Sequence, residues 1–282
     1  MPVRTRPGAR SITPPAAPPA TRPAATLART VRGSGPGLVL AHGAGGSTAA
    51  NYGPILDGLA ARHTVVGVDW PGAGDSPRSA TPLDADVLAD ELIAAADAEG
   101  LDTFALAGFS LGGPIAVRAA VRHPDRVSAL ILTATFAHRD ARLDLAARLW
   151  GELYESADRE QLAEFLVLAA FSTEALQATL PDALRAGIEA LADAVPPGTP
   201  EHVDLVRRID VRDDLARVTA PTLVVSTAGD PLVAPHLHRQ LADGIPGARL
   251  AAIDTGHLPF AEQPERWLSL ITDFLAEQRV AA

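Results

Sequence analysis

The amino-acid sequence predicts an α/β protein with a doubly wound, mostly parallel sheet. Short apolar runs recur along the chain and alternate with segments whose apolar residues have helical spacing. Several of these runs end in glycine or in a loop of small residues. Strands of a parallel sheet are covered on both faces, so they read as continuous apolar runs and not as an apolar–polar alternation. The alternation of such runs with helices is typical of the doubly wound class.

The predicted strands follow one another in chain order from residue 27 onward. They are LART at 27–30, GLVLAHG at 37–43, HTVVGVDW at 63–70, DTFALAGFS at 102–110, RVSALILTA at 126–134, PTLVVSTAGD at 221–230 and ARLAAIDTGH at 248–257.

The alternation of strand and helix patterns stops between residues 136 and 212, where no strand pattern appears. Apolar residues recur there at intervals of three and four, with proline and glycine between the segments. Insertions of this kind in α/β enzymes often cover the site as lids. We therefore predict a core formed by residues 26–135 and 213–282, with a helical cap at 136–212.

Composition restricts the partners and the compartment. The chain has 282 residues, a net charge of −10 and no cysteine. The acidic balance argues against a nucleic-acid partner, and no apolar run approaches the ~20 residues that span a membrane. Residues 1–25 are rich in proline, alanine and arginine without periodicity, so we expect a disordered extension. No signal peptide is apparent there, and we expect a cytoplasmic protein that acts on a small molecule.

The stretch AGFSLGGP, residues 107–114, carries the strongest chemical signal. Ser110 lies between a predicted strand and a predicted helix, with Gly108 and Gly112 on either side in a G-x-S-x-G pattern. So sharp a turn leaves almost no room for flanking side chains, and it presents the hydroxyl beside a helix N-terminus. In this context the pattern indicates a serine nucleophile.

A serine hydroxyl needs a base, and the base needs a carboxylate that orients it. His257 follows the last predicted strand, at the same sheet edge as Ser110, and is the best candidate base. Asp230 follows the preceding strand and is the best candidate acid. Asp140 is a minor rival because it follows an earlier strand, whereas Asp254 lies too close to the histidine along the chain.

The remaining histidines are weaker candidates for the base. His42 follows a strand and is expected to shape the loop there. Two others, His63 and His123, precede strands and so belong to the opposite edge of the sheet. Four histidines lie in or near predicted helices and are expected to face solvent: His138, His202, His236 and His238.

Two backbone N–H groups should stabilise the oxyanion of a tetrahedral intermediate. Leu111 follows the nucleophile directly, and Ala44 follows the His-Gly pair at the end of the second run; Gly45 is an alternative to Ala44. Apolar cap residues are expected either to pack within the cap or to bind the substrate. The substrate-binding candidates are Trp150, Tyr154, Phe165 and Phe171.

No pattern calls for a metal or a cofactor. The glycines of PGAGDSP, residues 71–77, lack the G-K-[ST] or G-x-G-x-x-G context of phosphate-binding loops. Histidines and carboxylates show no metal-ligand spacing, and a Ser-His-Asp mechanism needs no metal. We therefore expect an enzyme without cofactors.

Over about residues 25–280 the chain resembles the α/β-hydrolase-fold superfamily. The motifs HGAGG, DWPGAGDSP, GFSLGG, HPDRV, PTLVV, GDPLV and GHLPFAEQPERW occur in family order, as does the order Ser, Asp, His. GFSLGG is most similar to esterases and to the cofactor-free haloperoxidase and perhydrolase group. The resemblance implies an eight-stranded, mostly parallel sheet with a helical cap after the sixth strand.

The sequence thus predicts a serine hydrolase that cleaves a small-molecule ester or a related carbonyl compound through an acyl-enzyme. Other enzymes can use the same triad, and an eliminase or other lyase, an acyl transferase or a perhydrolase stays open as an alternative. A ligand-binding receptor or inactive scaffold is an alternative of a different class.

Overall fold

The apolar runs of the sequence form one seven-stranded sheet in the computed structural model, which describes residues 27–281. The strands are β1 (Arg29–Arg32), β2 (Gly37–Ala41), β3 (Thr64–Val68), β4 (Phe104–Phe109), β5 (Val127–Thr133), β6 (Thr222–Thr227) and β7 (Arg249–Ile253). Their order across the sheet is β1-β3-β2-β4-β5-β6-β7. β1 pairs antiparallel with β3, and all other pairs are parallel. The predicted fold class is confirmed.

The strand count differs from the one that the family resemblance implies. Each of the seven apolar runs overlaps one strand, and the described residues contain no eighth. The count of eight is therefore not confirmed, and neither is a cap position after a sixth strand, because the inserted helices follow β5. The expected disordered extension at 1–25 lies outside the described residues.

Helices occupy most of the chain between the strands. They are α1 (Thr48–Ala60), α2 (Ala85–Ala98), α3 (Gly112–Arg122), α4 (Ala141–Glu155), α5 (Arg159–Ala170), α6 (Thr173–Ala178), α7 (Pro181–Ala194), α8 (Thr199–Arg208), α9 (Pro235–Gly244), α10 (Pro259–Glu262) and α11 (Pro264–Ala281), with a 3₁₀ helix at Arg212–Arg217. Helices α4–α8 lie between β5 and β6, within residues 136–212, and we call these residues the helical segment. Asp140 and Asp158 begin α4 and α5 as N-caps, each accepting a backbone N–H of the first turn.

Two hydrophobic clusters cover the two faces of the sheet. Alternate residues of β2 point to opposite faces, so Val39 joins one cluster and Leu40 the other. The first cluster contains side chains of α2, α3, α9, α4 and α8, and the second contains side chains of α1 and α11. Trp267 of α11 is fully buried, and its indole N–H donates to Thr133 Oγ1 at 3.0 Å. Burial of a large side chain contributes about 1.5–3 kcal/mol, so both faces contribute to stability.

The parallel strands decide where functional loops meet. The loops after β2, β4, β6 and β7 all leave the carboxyl edge of the sheet, which is where ligands bind in folds of this class. The helical segment leaves the same edge after β5. Along residues 27–281, no helix is both long and apolar enough to cross a membrane.

Candidate active site

Ser110 lies between β4 and α3 in a strained turn. Its φ is +51°, in the left-handed region that residues with a side chain rarely adopt. The Ser110 N–H donates to Thr133 O at 3.1 Å, and the Ser110 carbonyl accepts from Thr135 Oγ1 at 2.6 Å. These contacts with the end of β5 hold the backbone in its unusual conformation. Such strain occurs mainly at functional sites.

The two flanking glycines are required by close backbone approach. A Cβ on Gly108 would lie 2.5 Å from the carbonyl oxygen of Gly112. A Cβ on Gly112 would overlap the carbonyl oxygen of Ala41, at the end of β2. The G-x-S-x-G pattern is thus explained by the packing of strand, turn and helix against one another.

We expect Gly112→Ala to destabilise the protein by about 1–3 kcal/mol or more, because backbone atoms must move to admit the new methyl group. Thermal unfolding should detect a fall in Tm of several degrees. Gly151→Ala is the control: no atom lies within 4 Å of a Cβ at Gly151, and alanine favours the helix by up to ~1 kcal/mol. A Gly112→Ala protein as stable as the wild type would contradict this explanation.

Asp230 and His257 form a hydrogen-bonded chain with Ser110. His257 Nε2 lies 3.0 Å from Ser110 Oγ, and His257 Nδ1 lies 2.8 Å from Asp230 Oδ2. All three residues are less than a tenth exposed. Asp230 follows β6 and His257 follows β7, so adjacent parallel strands bring residues together that are far apart along the chain. The sequence predicted these three side chains, and the structure brings them within hydrogen-bonding distance.

Asp230 is held as a hydrogen-bond acceptor on both of its oxygens. Oδ1 accepts from the N–H groups of Leu232 and Val233 at 2.9 and 2.8 Å, and Oδ2 accepts from Thr227 Oγ1 at 2.9 Å. An ionised carboxylate can only accept, so the shared proton lies on Nδ1 of His257. Nε2 is then an acceptor for the Ser110 hydroxyl. This arrangement can remove a proton from Ser110 and stabilise the resulting imidazolium.

The loop that carries His257 also contacts the helical segment. The His257 N–H donates to the carbonyl of Ala170, at the end of α5, at 2.6 Å. Glu262 accepts from the N–H of Gly256 at 3.0 Å and from both the N–H and the hydroxyl of Ser172 at 3.0 and 2.7 Å. The helical segment therefore helps to fix the position of the imidazole.

The rival aspartates make other contacts. Asp140 caps α4 through Leu143 N–H at 2.8 Å and lies 3.1 Å from His236. The backbone carbonyl of Asp254 accepts from Gln263. Nδ1 of His257 faces Asp230, so the geometry favours Asp230 over both rivals.

Backbone donors are available beside Ser110. Among the described residues, neither the N–H of Ala44 nor that of Leu111 donates a hydrogen bond. Leu111 precedes the first turn of α3, and Ala44 lines the same cavity as Ser110. The N–H of Gly45 donates to His202 Nδ1 at 3.2 Å, so the alternative donor is already engaged.

A small cavity lies beside Ser110, and its free volume of about 20 Å³ is room for about one water molecule, well below the size of ligand pockets. Apart from the hydroxyl it is lined mainly by apolar side chains: Ala44, Phe136, Leu143, Ala147, Trp150, Val203, Val206, Leu232 and Val233. Trp150 is the predicted substrate-binding residue that the cavity contains. Its indole Nε1 is buried and has no hydrogen-bond partner among the described residues.

The other substrate-binding candidates are not among these lining residues. Tyr154 stacks on the guanidinium of Arg159 at 4.2 Å, and its hydroxyl donates to Pro197 O at 3.4 Å. Phe165 and Phe171 are half-buried elsewhere in the helical segment. The lining residues on α8 and in the loop after β6 were not predicted from the sequence.

Two of the histidines expected to face solvent are buried, so that expectation was wrong for His202 and His238. His202 is fully buried and burial lowers its pKa to about 4. His238 is 1% exposed, contacts Ser226 Oγ at 3.0 Å, and burial likewise lowers its pKa to about 4. The burial of His202 could have been predicted from its helical spacing, because it shares the buried face of α8 with Thr199, Val203 and Val206. Within the described chain, no group of three or more histidines and carboxylates is arranged to hold a metal ion.

The chain is similar to known proteins over most of its length. A family model described as alpha/beta hydrolase fold matches residues 36–264. Among curated proteins, a pyrrolizixenacetamide deacetylase of Xenorhabdus hominickii is 31% identical, with 91% of this chain and 97% of that protein covered. A pimeloyl-[acyl-carrier protein] methyl ester esterase of Neisseria meningitidis is 32% identical, with 84% and 93% covered. Among solved structures, a thermophilic esterase of Thermogutta terrifontis has a TM-score of 0.78 and 26% identity, with 89% and 93% covered.

Proposed function

Because the chain belongs to the α/β-hydrolase-fold family and is an enzyme of that fold, we propose that it is a serine hydrolase. In this proposal it cleaves a small-molecule ester or a related acyl compound through a Ser110–His257–Asp230 triad. The observation that carries the proposal is the pair of hydrogen bonds at 3.0 and 2.8 Å that joins the three side chains. Nucleophile and base lie within hydrogen-bond reach, and a third group orients the base, as nucleophilic catalysis requires.

The first half of the proposed reaction forms an acyl-enzyme. Ser110 Oγ attacks the substrate carbonyl while His257 Nε2 takes the hydroxyl proton. The N–H groups of Ala44 and Leu111 donate to the oxyanion, and Asp230 stabilises the imidazolium. When the intermediate collapses, the bond to the leaving group breaks and His257 returns the proton to that group.

The second half releases the acyl group. Water takes the place of the leaving group, His257 removes its proton, and the resulting hydroxide attacks the acyl carbonyl. The bond to Ser110 Oγ then breaks, and His257 returns the proton to the serine. The products are the carboxylic acid and the free enzyme.

We propose that the cavity beside Ser110 holds a short acyl group. Its walls are largely apolar and its free volume is only about 20 Å³, so a large acyl group would have to displace the walls. The names of the two curated relatives, a deacetylase and a methyl ester esterase, both describe the removal of a small group. In the deacetylase that group is the acyl part, which matches a small acyl cavity.

Turnover of p-nitrophenyl esters with acetyl, butanoyl and octanoyl groups tests this proposal. We expect kcat/KM to be highest for the acetate or the butanoate and lowest for the octanoate. Hydrolysis in water labelled with heavy oxygen should place the label in the released acid, which a lyase or a transferase to another acceptor would not do. Preference for the octanoate, or an unlabelled acid, would contradict the proposal.

The unpartnered indole N–H of Trp150 leads to a prediction about the substrate. In a largely apolar cavity, this buried donor should select an acyl group that carries a hydrogen-bond acceptor. Trp150→Phe keeps an aromatic ring and removes the donor. We expect it to lower kcat/KM for a methoxyacetate ester by about 3- to 10-fold more than for the butanoate of similar shape, which is the value of one hydrogen bond. The lost contact between the indole and Gly45 should affect both esters alike.

For each ester, kcat/KM of the mutant is divided by kcat/KM of the wild type. Differences in intrinsic reactivity between the two esters then cancel. Tyr154→Phe is the control, because the Tyr154 hydroxyl donates to Pro197 and Tyr154 is not among the lining residues of the cavity. Equal losses for both esters in Trp150→Phe would show that the indole N–H plays no part in recognition.

A further inference from the structure

The loop after β2 is held from outside the sheet by the helical segment. Gly45 has a φ of +64° and packs against Trp150 of α4. A Cβ at Gly45 would lie 2.5 Å from Trp150 Cζ2 and 3.6 Å from Thr199 Oγ1 of α8. The loop that carries Ala44 is thus packed between the sheet and two helices of the segment.

His202 of α8 connects this loop to a second one. The N–H of Gly45 donates to His202 Nδ1 at 3.2 Å, and His202 Nε2 lies 3.0 Å from the carbonyl oxygen of Pro71. A carbonyl only accepts, so Nε2 carries the proton and Nδ1 is the acceptor. His202 must therefore be neutral. Its complete burial, which lowers its pKa to about 4, keeps it neutral at ordinary pH.

The two peptide groups on either side of Ala44 are both fixed by histidines. The Gly43 carbonyl shares a peptide plane with the Ala44 N–H, and it accepts from His42 Nδ1 at 2.7 Å. The next plane contains the Gly45 N–H that His202 binds. Because peptide groups are planar, these two contacts leave the Ala44 N–H little freedom to turn.

We propose that His202 is a positioning residue that holds the Ala44 N–H in the direction of the oxyanion. His202 touches neither Ser110 nor the substrate in this proposal and acts through the Gly45 peptide group. The proposal rests on the proposed function, because it assumes that Ala44 donates to an oxyanion. Removal of a single oxyanion donor costs about 10²- to 10³-fold in kcat. A donor that is present but poorly directed should cost less.

Two amide variants separate this role from a structural one. In asparagine the side-chain oxygen is as many bonds from Cβ as Nδ1 of histidine, so His202→Asn can still accept from Gly45. In glutamine the amide nitrogen corresponds in the same way to Nε2, so His202→Gln can still donate to Pro71. Each variant therefore keeps one of the two hydrogen bonds and loses the other.

The experiment measures kcat and KM with p-nitrophenyl acetate, the affinity for phenylboronic acid as a tetrahedral adduct, and Tm. We expect His202→Ala and His202→Gln to lower kcat by about 10- to 100-fold with KM nearly unchanged, and to weaken boronate binding similarly. His202→Asn should recover most of both losses. Asp204→Ala, a change at an exposed position of the same helix whose carboxylate pairs with Arg208, is the control and should behave as wild type.

The proposal is overturned if the asparagine variant is no better than the glutamine variant, or if both fail to fold, since the residue would then be structural. A change in KM alone would also overturn it. Failure of the proposed function has a different signature. In that case wild-type protein would bind no boronate, and Ser110→Ala would retain the wild-type activity.

Discussion

Replacement of Ser110 by alanine is expected to lower kcat by about 10⁴- to 10⁶-fold, as loss of the nucleophile does in other triad enzymes. The hydroxyl oxygen is the atom that forms the acyl-enzyme in our account, and no other atom at this position can replace it. KM should change little, because the carbonyl-binding N–H groups and the apolar cavity remain. The measurement is steady-state turnover of p-nitrophenyl acetate by purified protein.

The fold should tolerate this change. Alanine at position 110 meets the same left-handed backbone as serine, so the strain of the turn is unaltered. We therefore expect a Tm close to that of the wild type. Ser128→Ala, at an exposed position near the amino end of β5 and away from the site, is the matched control. Wild-type turnover by folded Ser110→Ala protein would contradict the mechanism.

Asp230→Asn should lower kcat by about 10⁴-fold while the geometry is kept. The asparagine oxygen can still accept from Leu232 and Val233, but its NH₂ group would face His257 Nδ1. The imidazole would then keep its proton on Nε2, and it could not accept the proton of Ser110. The loss of activity would therefore come from the wrong ring nitrogen of His257 carrying the proton, and not from a displaced ring.

Asp140→Asn is the control for this prediction. Asp140 caps α4, and asparagine caps helices about as well as aspartate. We expect near wild-type turnover. A large loss in Asp140→Asn together with an active Asp230→Asn enzyme would mean that the acid follows β5 and not β6.

The sheet could be predicted because its signals are local. Each buried strand is a continuous apolar run, and each run of the sequence overlaps one strand of the structure. The eighth strand was implied only by the family resemblance, with no apolar run of its own. The seven observed strands therefore match the seven apolar runs of the sequence, and not the eight strands that the resemblance implies.

The positions of Ser110, Asp230 and His257 could also be predicted. Strands β4, β6 and β7 are parallel, so their carboxyl ends lie at the same edge of the sheet. The contacts that the helical segment makes could not be predicted from the sequence. Trp150 and Tyr154 lie one turn apart on α4 and Phe165 lies on α5, yet of these three only Trp150 lines the cavity. The lining residues Leu232 and Val233 lie in a loop, where periodicity gives no information.

His202 shows a different limit. Its place on the apolar face of α8 could have indicated burial, yet its partners are backbone groups of Gly45 and Pro71. Nearly every residue has the same backbone groups, so the sequence does not show which of them a side chain will bind. A buried histidine that binds them cannot be distinguished by pattern alone from one that simply fills space.

The central claim is that Ser110 is an activated nucleophile, and covalent labelling with a fluorophosphonate tests it most directly. Intact mass and peptide mapping would follow the reaction of wild-type and Ser110→Ala protein. We expect one adduct per chain in the wild type, located on Ser110, and none in Ser110→Ala. Failure of the folded wild-type protein to react, or equal labelling of Ser110→Ala, would contradict the account.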